Sequence, residues 1–203
     1  QNGLEGTVDA DKFFAGARVV FDFKNVDNYI IPHAGVKLNT QLSYVNQLNS
    51  SKQFTSLRAT FSFYKAIDAQ EKLILASQFG TGINFGAGYE FFQMPTLGIR
   101  QGLRGYRAER FYGKSNYWHN TDLRYKINSN YNPTLPLTYG VFGSFDYGRV
   151  WVDNDLSKNW HFNYGGGIWF APVDIMTFAV GAFVPKEKKE EKPLIAVQLG
   201  FWF

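Results

Sequence analysis

The sequence predicts an all-β chain, folded as an antiparallel transmembrane β-barrel of about 8–10 strands or as half of a larger wall. Three observations carry that prediction. Aromatic residues make up 18% of the 203 residues, with 20 Phe and 12 Tyr, yet the mean hydropathy is only −0.26. No uncharged apolar run approaches the ~18 residues that a membrane helix needs. The aromatics alternate with small or polar residues at period 2, the signature of a strand with two unlike faces. Connections are short at one end of the strands and long at the other, as in membrane barrels.

The strands follow in order. Residues 13–24 set Phe13, Ala15, Ala17, Val19, Phe21 and Phe23 against Gly16, Arg18, Asp22 and Lys24. Residues 34–45 oppose Val36, Leu38, Leu42 and Tyr44 to Lys37, Asn39, Gln41 and Ser43. Residues 55–66 oppose Leu57, Ala59, Phe61 and Phe63 to Ser56, Arg58, Thr60 and Ser62, and 72–85 is a noisier version of the same pattern. After a gap the alternation returns in 116–127, 137–151, 160–170, 176–184 and 194–203. The last of these places Ile195, Val197, Leu199, Phe201 and Phe203 on one face.

Tight turns at 66–71 and 172–174 stand opposite longer loops at 46–54, 152–158 and 185–192. Tyr117, Trp151, Trp160, Trp169 and Phe203 fall near strand ends, where aromatic girdles form. Inward cations, Lys37, Arg58, Lys72, Arg124 and Lys126, are expected to solvate the interior. Gly165, Gly166 and Gly167 are expected to relieve crowding, because no helix start follows them to hold a phosphate.

Charge and composition narrow the function. The net charge of +4 is modest, and the densest run, KEKKEEK at 186–192, mixes both signs. Nucleic acid is not an expected partner; lipid is. Cysteine is absent, so no disulfide holds the fold. No signal peptide is visible, and Gln1 reads as a first mature residue or as a boundary. His33, His119 and His161 lie on a turn and two separate strands, with no metal-binding spacing and no nucleophile elbow. The expectation is therefore no enzyme, no metal and no cofactor.

Residues 86–115 break the rhythm. A loop of that length is uncommon unless it is functional or disordered. It contains Leu103, Arg104, Gly105 and Tyr106, followed by Arg107, Arg110 and Phe111. Asp122 and Asp146 fall on inward positions of the next two strands. An arginine bridges carboxylates bidentately, and the pair is strongest when shielded from water. The expected lock is Arg104 on Asp146, with Asp122 as second partner. Arg107 and Arg110 are expected to be solvated.

The stretch Leu103–Tyr106 resembles the Val-or-Leu, Arg, Gly, Phe-or-Tyr loop signature of the BamA-type outer-membrane assembly factors, also called bacterial surface antigens. Five predicted strands follow the loop, as in that family. The second carries Phe145, Asp146, Tyr147 and Gly148 before Val150 and Trp151, which is similar to the family's aromatic-Asp-x-Gly element. Asp27 and Asn28, followed by Pro32 and Gly35, resemble a turn that precedes another family strand. The final strand, with Leu199, Phe201 and Phe203, resembles the aromatic-terminated signal read by the barrel-assembly machinery.

The resemblance implies a place in the bacterial outer membrane and a lumenal position for the loop at 86–115. It also implies a role in insertion, assembly or translocation of outer-membrane or secreted proteins, with such proteins as clients. A full family barrel has sixteen strands and usually periplasmic POTRA domains, and the chain corresponds to its C-terminal half. The alternative is a structural barrel, an anchor or pore for a partner or for a fused enzymatic domain.

Residues 1–203 are expected to form one domain. About nine strands leave the chain ends on opposite sides, unlike an even-stranded bacterial barrel. Either residues 4–10 add a crossing, or 13–24 is not a wall strand, or a homodimer or another barrel or periplasmic partner completes the wall.

Overall fold

The computed structural model describes residues 12–130, 136–152, 159–186 and 192–203. Nine strands form one antiparallel sheet: β1 (Phe14–Val26), β2 (Ala34–Gln47), β3 (Gln53–Ala66), β4 (Leu73–Phe85), β7 (Ser115–Asn130), β8 (Leu137–Trp151), β9 (His161–Pro172), β10 (Phe178–Pro185) and β11 (Leu194–Leu199). Neighbours in the sheet follow chain order. The connection between β4 and β7 carries a one-turn 3-10 helix (Phe91–Gln93) and a two-residue ribbon, β5 (Thr96–Leu97) against β6 (Phe111–Tyr112).

The register fixes which side each residue faces. Phe61 pairs with Phe79 and Phe79 with His119, while Ala76 pairs with Asp122 and Asn120 with Asp146. A strand's period of two then assigns every other wall residue. One face carries Val19, Phe21, Phe23, Leu42, Phe61, Leu123, Val141, Phe145, Ile168, Ile195, Val197 and Leu199, all exposed. The other buries Ser56, Ser62, Asn84, Asn116, Asn120, Asp122, Arg124, Asp146 and Asn163. Soluble monomers rarely expose so much contiguous apolar surface, and burying polar groups while exposing apolar ones is the membrane-barrel inversion. No helix among the described residues is long and apolar enough to cross a membrane, which says nothing about strands.

The sheet is rolled. At the short-turn end, Thr177 Oγ1 donates to Ile30 O at 3.1 Å, and Ile31 packs in one cluster with Ala179 and Ala196. Yet among the described residues β1 and β11 do not pair, so the sheet is not closed. Both strands run from the long-loop end to the short-turn end, so direct closure would require a parallel pair. The segment 13–24 belongs to a wall strand, β1. Residues 4–10, the candidate extra crossing, lie outside the described residues.

Two expectations are corrected here. Trp169 is not in a girdle: it is 1% exposed on the concave side, where it meets Phe201. Its odd number places it opposite Trp160 and Phe162, so position near a strand end misled where parity did not. The last strand stops at Leu199, not at Phe203. Gly200 has φ +86°, a left-handed conformation that glycine adopts without penalty, and the chain turns inward there. Leu199 remains on the outer face, but Phe203 is buried on the concave side with Tyr64 and Ala76.

Candidate functional site

The connection between β4 and β7 lies on the concave face and is fastened along its length. Gln93 O accepts from Asn84 Nδ2 at 2.9 Å, Thr96 O from Asn116 Nδ2 at 2.7 Å and Gly102 O from Asn120 Nδ2 at 2.8 Å. These asparagines sit on inward positions of β4 and β7, so the wall supplies donors to carbonyls of a loop that lies outside the main sheet. Arg58 adds a clasp, its guanidinium bonding Asn84 Oδ1, Leu57 O and the carbonyl of Gln93. Arg58 is therefore a structural anchor, not the interior solvating charge expected of it.

Leu103, Arg104, Gly105 and Tyr106 form the loop's deepest point, and all are buried. Arg104 donates from Nε to Asp146 Oδ2 at 2.9 Å and from Nη2 to Asp146 Oδ1 at 2.5 Å. Asp122 Oδ1 is 2.8 Å from the same Nη2. Asn163 Nδ2 donates to Asp146 Oδ2 at 2.7 Å. Burial opposes charge on Arg104, but Asp122 and Asp146 outweigh it and hold its pKa above the ordinary arginine value. Gly105 passes close to β9: a Cβ there would stand 2.6 Å from the Cβ of Asn163. Tyr106 donates its hydroxyl to Phe162 O at 3.0 Å and packs with Leu97, Leu103 and Trp118. Arg107 and Arg110 are exposed.

Two further groups complete the cluster. Arg124 is 1% exposed, with Nη2 3.2 Å from Asp122 Oδ2 and donating to Phe203 O at 3.1 Å. It is a member of the buried network, not a solvating cation. The signal was present, since Asp122 and Arg124 are two apart on one strand and so share a face. The second group is the tail. Phe201 lies under the Arg124 guanidinium at 3.9 Å, and Trp202 and Phe203 lie at 5.5 and 5.7 Å from that of Arg104. Two arginines and two aspartates thus balance in charge beneath an aromatic cover. Nothing in the local sequence predicts that cover, because it depends on the turn at Gly200.

The histidines do not converge. His33 bonds Asp27 in the β1–β2 turn at 2.9 Å, while His161 stacks on Phe111. His119 faces outward, stacked on Phe79 and 2.6 Å from Ser77 Oγ. Among the described residues no group of three or more His, Asp or Glu is placed to hold a metal.

A rolled antiparallel sheet, apolar outside and polar inside, with a loop pinned within by an arginine, defines a transmembrane β-barrel wall. Residues 5–172 match the family described as the Omp85 superfamily domain, and the chain belongs to that superfamily. This is the BamA-type family expected from the motif at Leu103–Tyr106. It is an outer-membrane family concerned in general with protein insertion and translocation. No curated protein matches the chain.

Proposed function

We propose that residues 1–203 form a single wall domain in the bacterial outer membrane, taking part in insertion, assembly or translocation of outer-membrane or secreted proteins. The observation that carries this reading is the Arg104 cluster, which holds the loop at 86–115 against the concave face through Asp146 and Asp122. Breaking one partner of a buried pair costs about 3–5 kcal/mol, so the cluster sets whether the interior is occupied. Clients are unfolded outer-membrane polypeptides, and the surrounding partners are outer-membrane lipids. Leu199, Phe201 and Phe203 serve as the assembly signal during biogenesis, before the tail turns inward at Gly200. The chain acts as a transporter or assembly factor, without catalysis, metal or cofactor.

The test is reconstitution in vesicles with an unfolded outer-membrane substrate. Arg104→Glu is expected to lower substrate insertion severely, and adding Asp146→Arg to restore part of it. Unchanged insertion by the single variant would overturn the reading. The alternative, a structural wall acting as anchor or pore, is favoured by the polar concave face of β1, where Arg18, Asp22 and Lys24 are exposed. Ion conductance without substrate insertion in the same vesicles would select it.

A further inference from the structure

At the short-turn end the two unpaired margins of the sheet approach each other, and a cavity of about 380 Å³ lies between them. Tyr29, Ile30 and Pro32 of the β1–β2 turn form one side, and Ile175, Met176 and Leu199 form the other. Tyr29, Ile175, Met176 and Leu199 are exposed, and Leu199 belongs to the lipid-facing set. The inner end is different. Lys37 of β2 lines it together with the turned-in Phe201 and Phe203, and these three lie on the concave side. The cavity thus runs through the wall, from the apolar outer face to the polar interior.

Lys37 is the one charged side chain among the described lining residues, and among the described residues it has no counter-ion. Its Nζ lies 4.9 Å from the Tyr64 ring centre, a contact that leaves the ammonium's three donors without an oxygen acceptor. Lys24 stands directly opposite it in the β1–β2 register, and like charges so placed repel. The neighbouring acids are engaged elsewhere. Asp22 holds Lys24 at 2.8 Å, Asp27 is taken up by His33 and the backbone of its turn, and Asp174 is exposed in the β9–β10 turn. Two facing cations therefore share one carboxylate, and an anion in the cavity balances the excess.

We propose that this cavity binds an anionic phospholipid of the leaflet on the short-turn side, its phosphate on Lys37 and the start of one acyl chain between the β1–β2 turn and Leu199. The inference rests on the wall's place in the membrane and not on any client. A free inorganic anion would satisfy Lys37 but leave the apolar sides facing water. A hydrocarbon alone would leave the cation uncompensated. A singly charged amphiphile satisfies both ends, with the rest of its chains in the bilayer. The depth agrees: Lys37 is three residues into β2, about 10 Å along the strand and less in depth once the strand tilts. A lysine stem carries its ammonium from there to the headgroup region.

The full chain is reconstituted in phosphatidylcholine vesicles carrying a small fraction of phosphatidylglycerol with a diazirine near the glycerol end of one acyl chain. After irradiation the labelled peptides are mapped by mass spectrometry, and the same diazirine on phosphatidylcholine serves as reference. Wild type is expected to be labelled at 29–32 and 175–177 above the outward faces of β3 and β7, with phosphatidylglycerol preferred. Lys37→Gln is expected to reduce that preference about fivefold, the pull of about one basic residue on an anionic surface. Lys37→Arg should retain it, and Lys65→Gln, an exposed outward lysine at the same end of β3, should leave it unchanged. Equal preference in Lys37→Gln and wild type would overturn the proposal, as would labelling of 29–32 no denser than that of the outward strand faces. Loss of labelling to added inorganic phosphate would also overturn it, assigning Lys37 to the free ion. Heat-modifiable gel migration, measured on each variant, reports whether the wall has inserted, so failure of the membrane reading is distinguishable from failure of the lipid site.

Discussion

The concave faces of the two margins of the sheet are built from the same alternating pattern and end in different states. Across β7 to β10 the inward residues are sealed beneath the loop and the tail: Asp122, Asp146 and Asn163 are at most 1% exposed. On β1 the inward Arg18, Asp22 and Lys24 remain exposed, and Lys24 pairs with Asp22 at 2.8 Å in the open. The contrast teaches that alternation sets which way a side chain points but not what it is worth. An ion pair gains from exclusion of water only where a second layer excludes it, and exposed pairs contribute about 0–1 kcal/mol.

The sharpest way to break that comparison is to remove charge from each side. Arg104→Gln leaves two buried carboxylates under-compensated and should destabilise the wall by about 3–5 kcal/mol, read as a lowered midpoint of heat-modifiable migration. If it shifts the midpoint no more than Asp22→Asn does, the two margins are equivalent and the contrast fails.

Next in size is Gly105→Ala, which forces a Cβ against Asn163 and should cost about 1–3 kcal/mol by overpacking, with the loop becoming cleavable by protease. Gly200→Ala penalises the left-handed turn by roughly 1–2 kcal/mol. It should weaken the tail's hold on Arg124, so that a cysteine introduced at Phe203, unique in this cysteine-free chain, gains reactivity toward a water-soluble maleimide. Protection equal to that in the Gly200 background would show that the tail does not depend on this turn. Asp22→Asn should leave the midpoint of heat-modifiable migration where it is, as for other solvated sites.

The smallest effect is on pH. In the β3–β4 turn, Asp68 accepts from the backbone N–H of Leu73 at 2.6 Å, which lowers its pKa below the ordinary 3.8. The sign follows from linkage: a carboxylate lowered in the folded state stabilises fully above its unfolded pKa and loses that contribution as pH falls through the folded value. Its contribution to stability should therefore be constant from neutrality to the ordinary carboxylate range and decline below it. Asp68→Asn should flatten part of that decline, and an unchanged acid profile would remove the turn from the account.

Parity made most of the fold legible. The outward and inward sets of β2, β3, β7 and β8 follow from the sequence, and so does the placement of Asp122 and Asp146 on inward positions of adjacent strands. Arg104 was legible because a long loop with Arg-Gly-Tyr faces two inward acids. Trp169 and Phe203 lie outside the girdle for two reasons. Trp169 is near a strand end but its parity points inward, and the strand before Phe203 stops at Leu199, where Gly200 turns the chain. Arg124 looked like one of several interior cations because its value depends on Phe201 and Phe203, which are far from it in sequence.

The sequence alone therefore determined an antiparallel wall, which face meets lipid, and the loop residues able to pair with the wall. Those properties are periodic or local, so a linear pattern specifies them. The tertiary structure decided that the sheet rolls without β1 meeting β11, and that Arg104 and Arg124 share the two aspartates beneath an aromatic tail. Those depend on contacts between distant segments and on the exclusion of water, neither of which is written in any single strand.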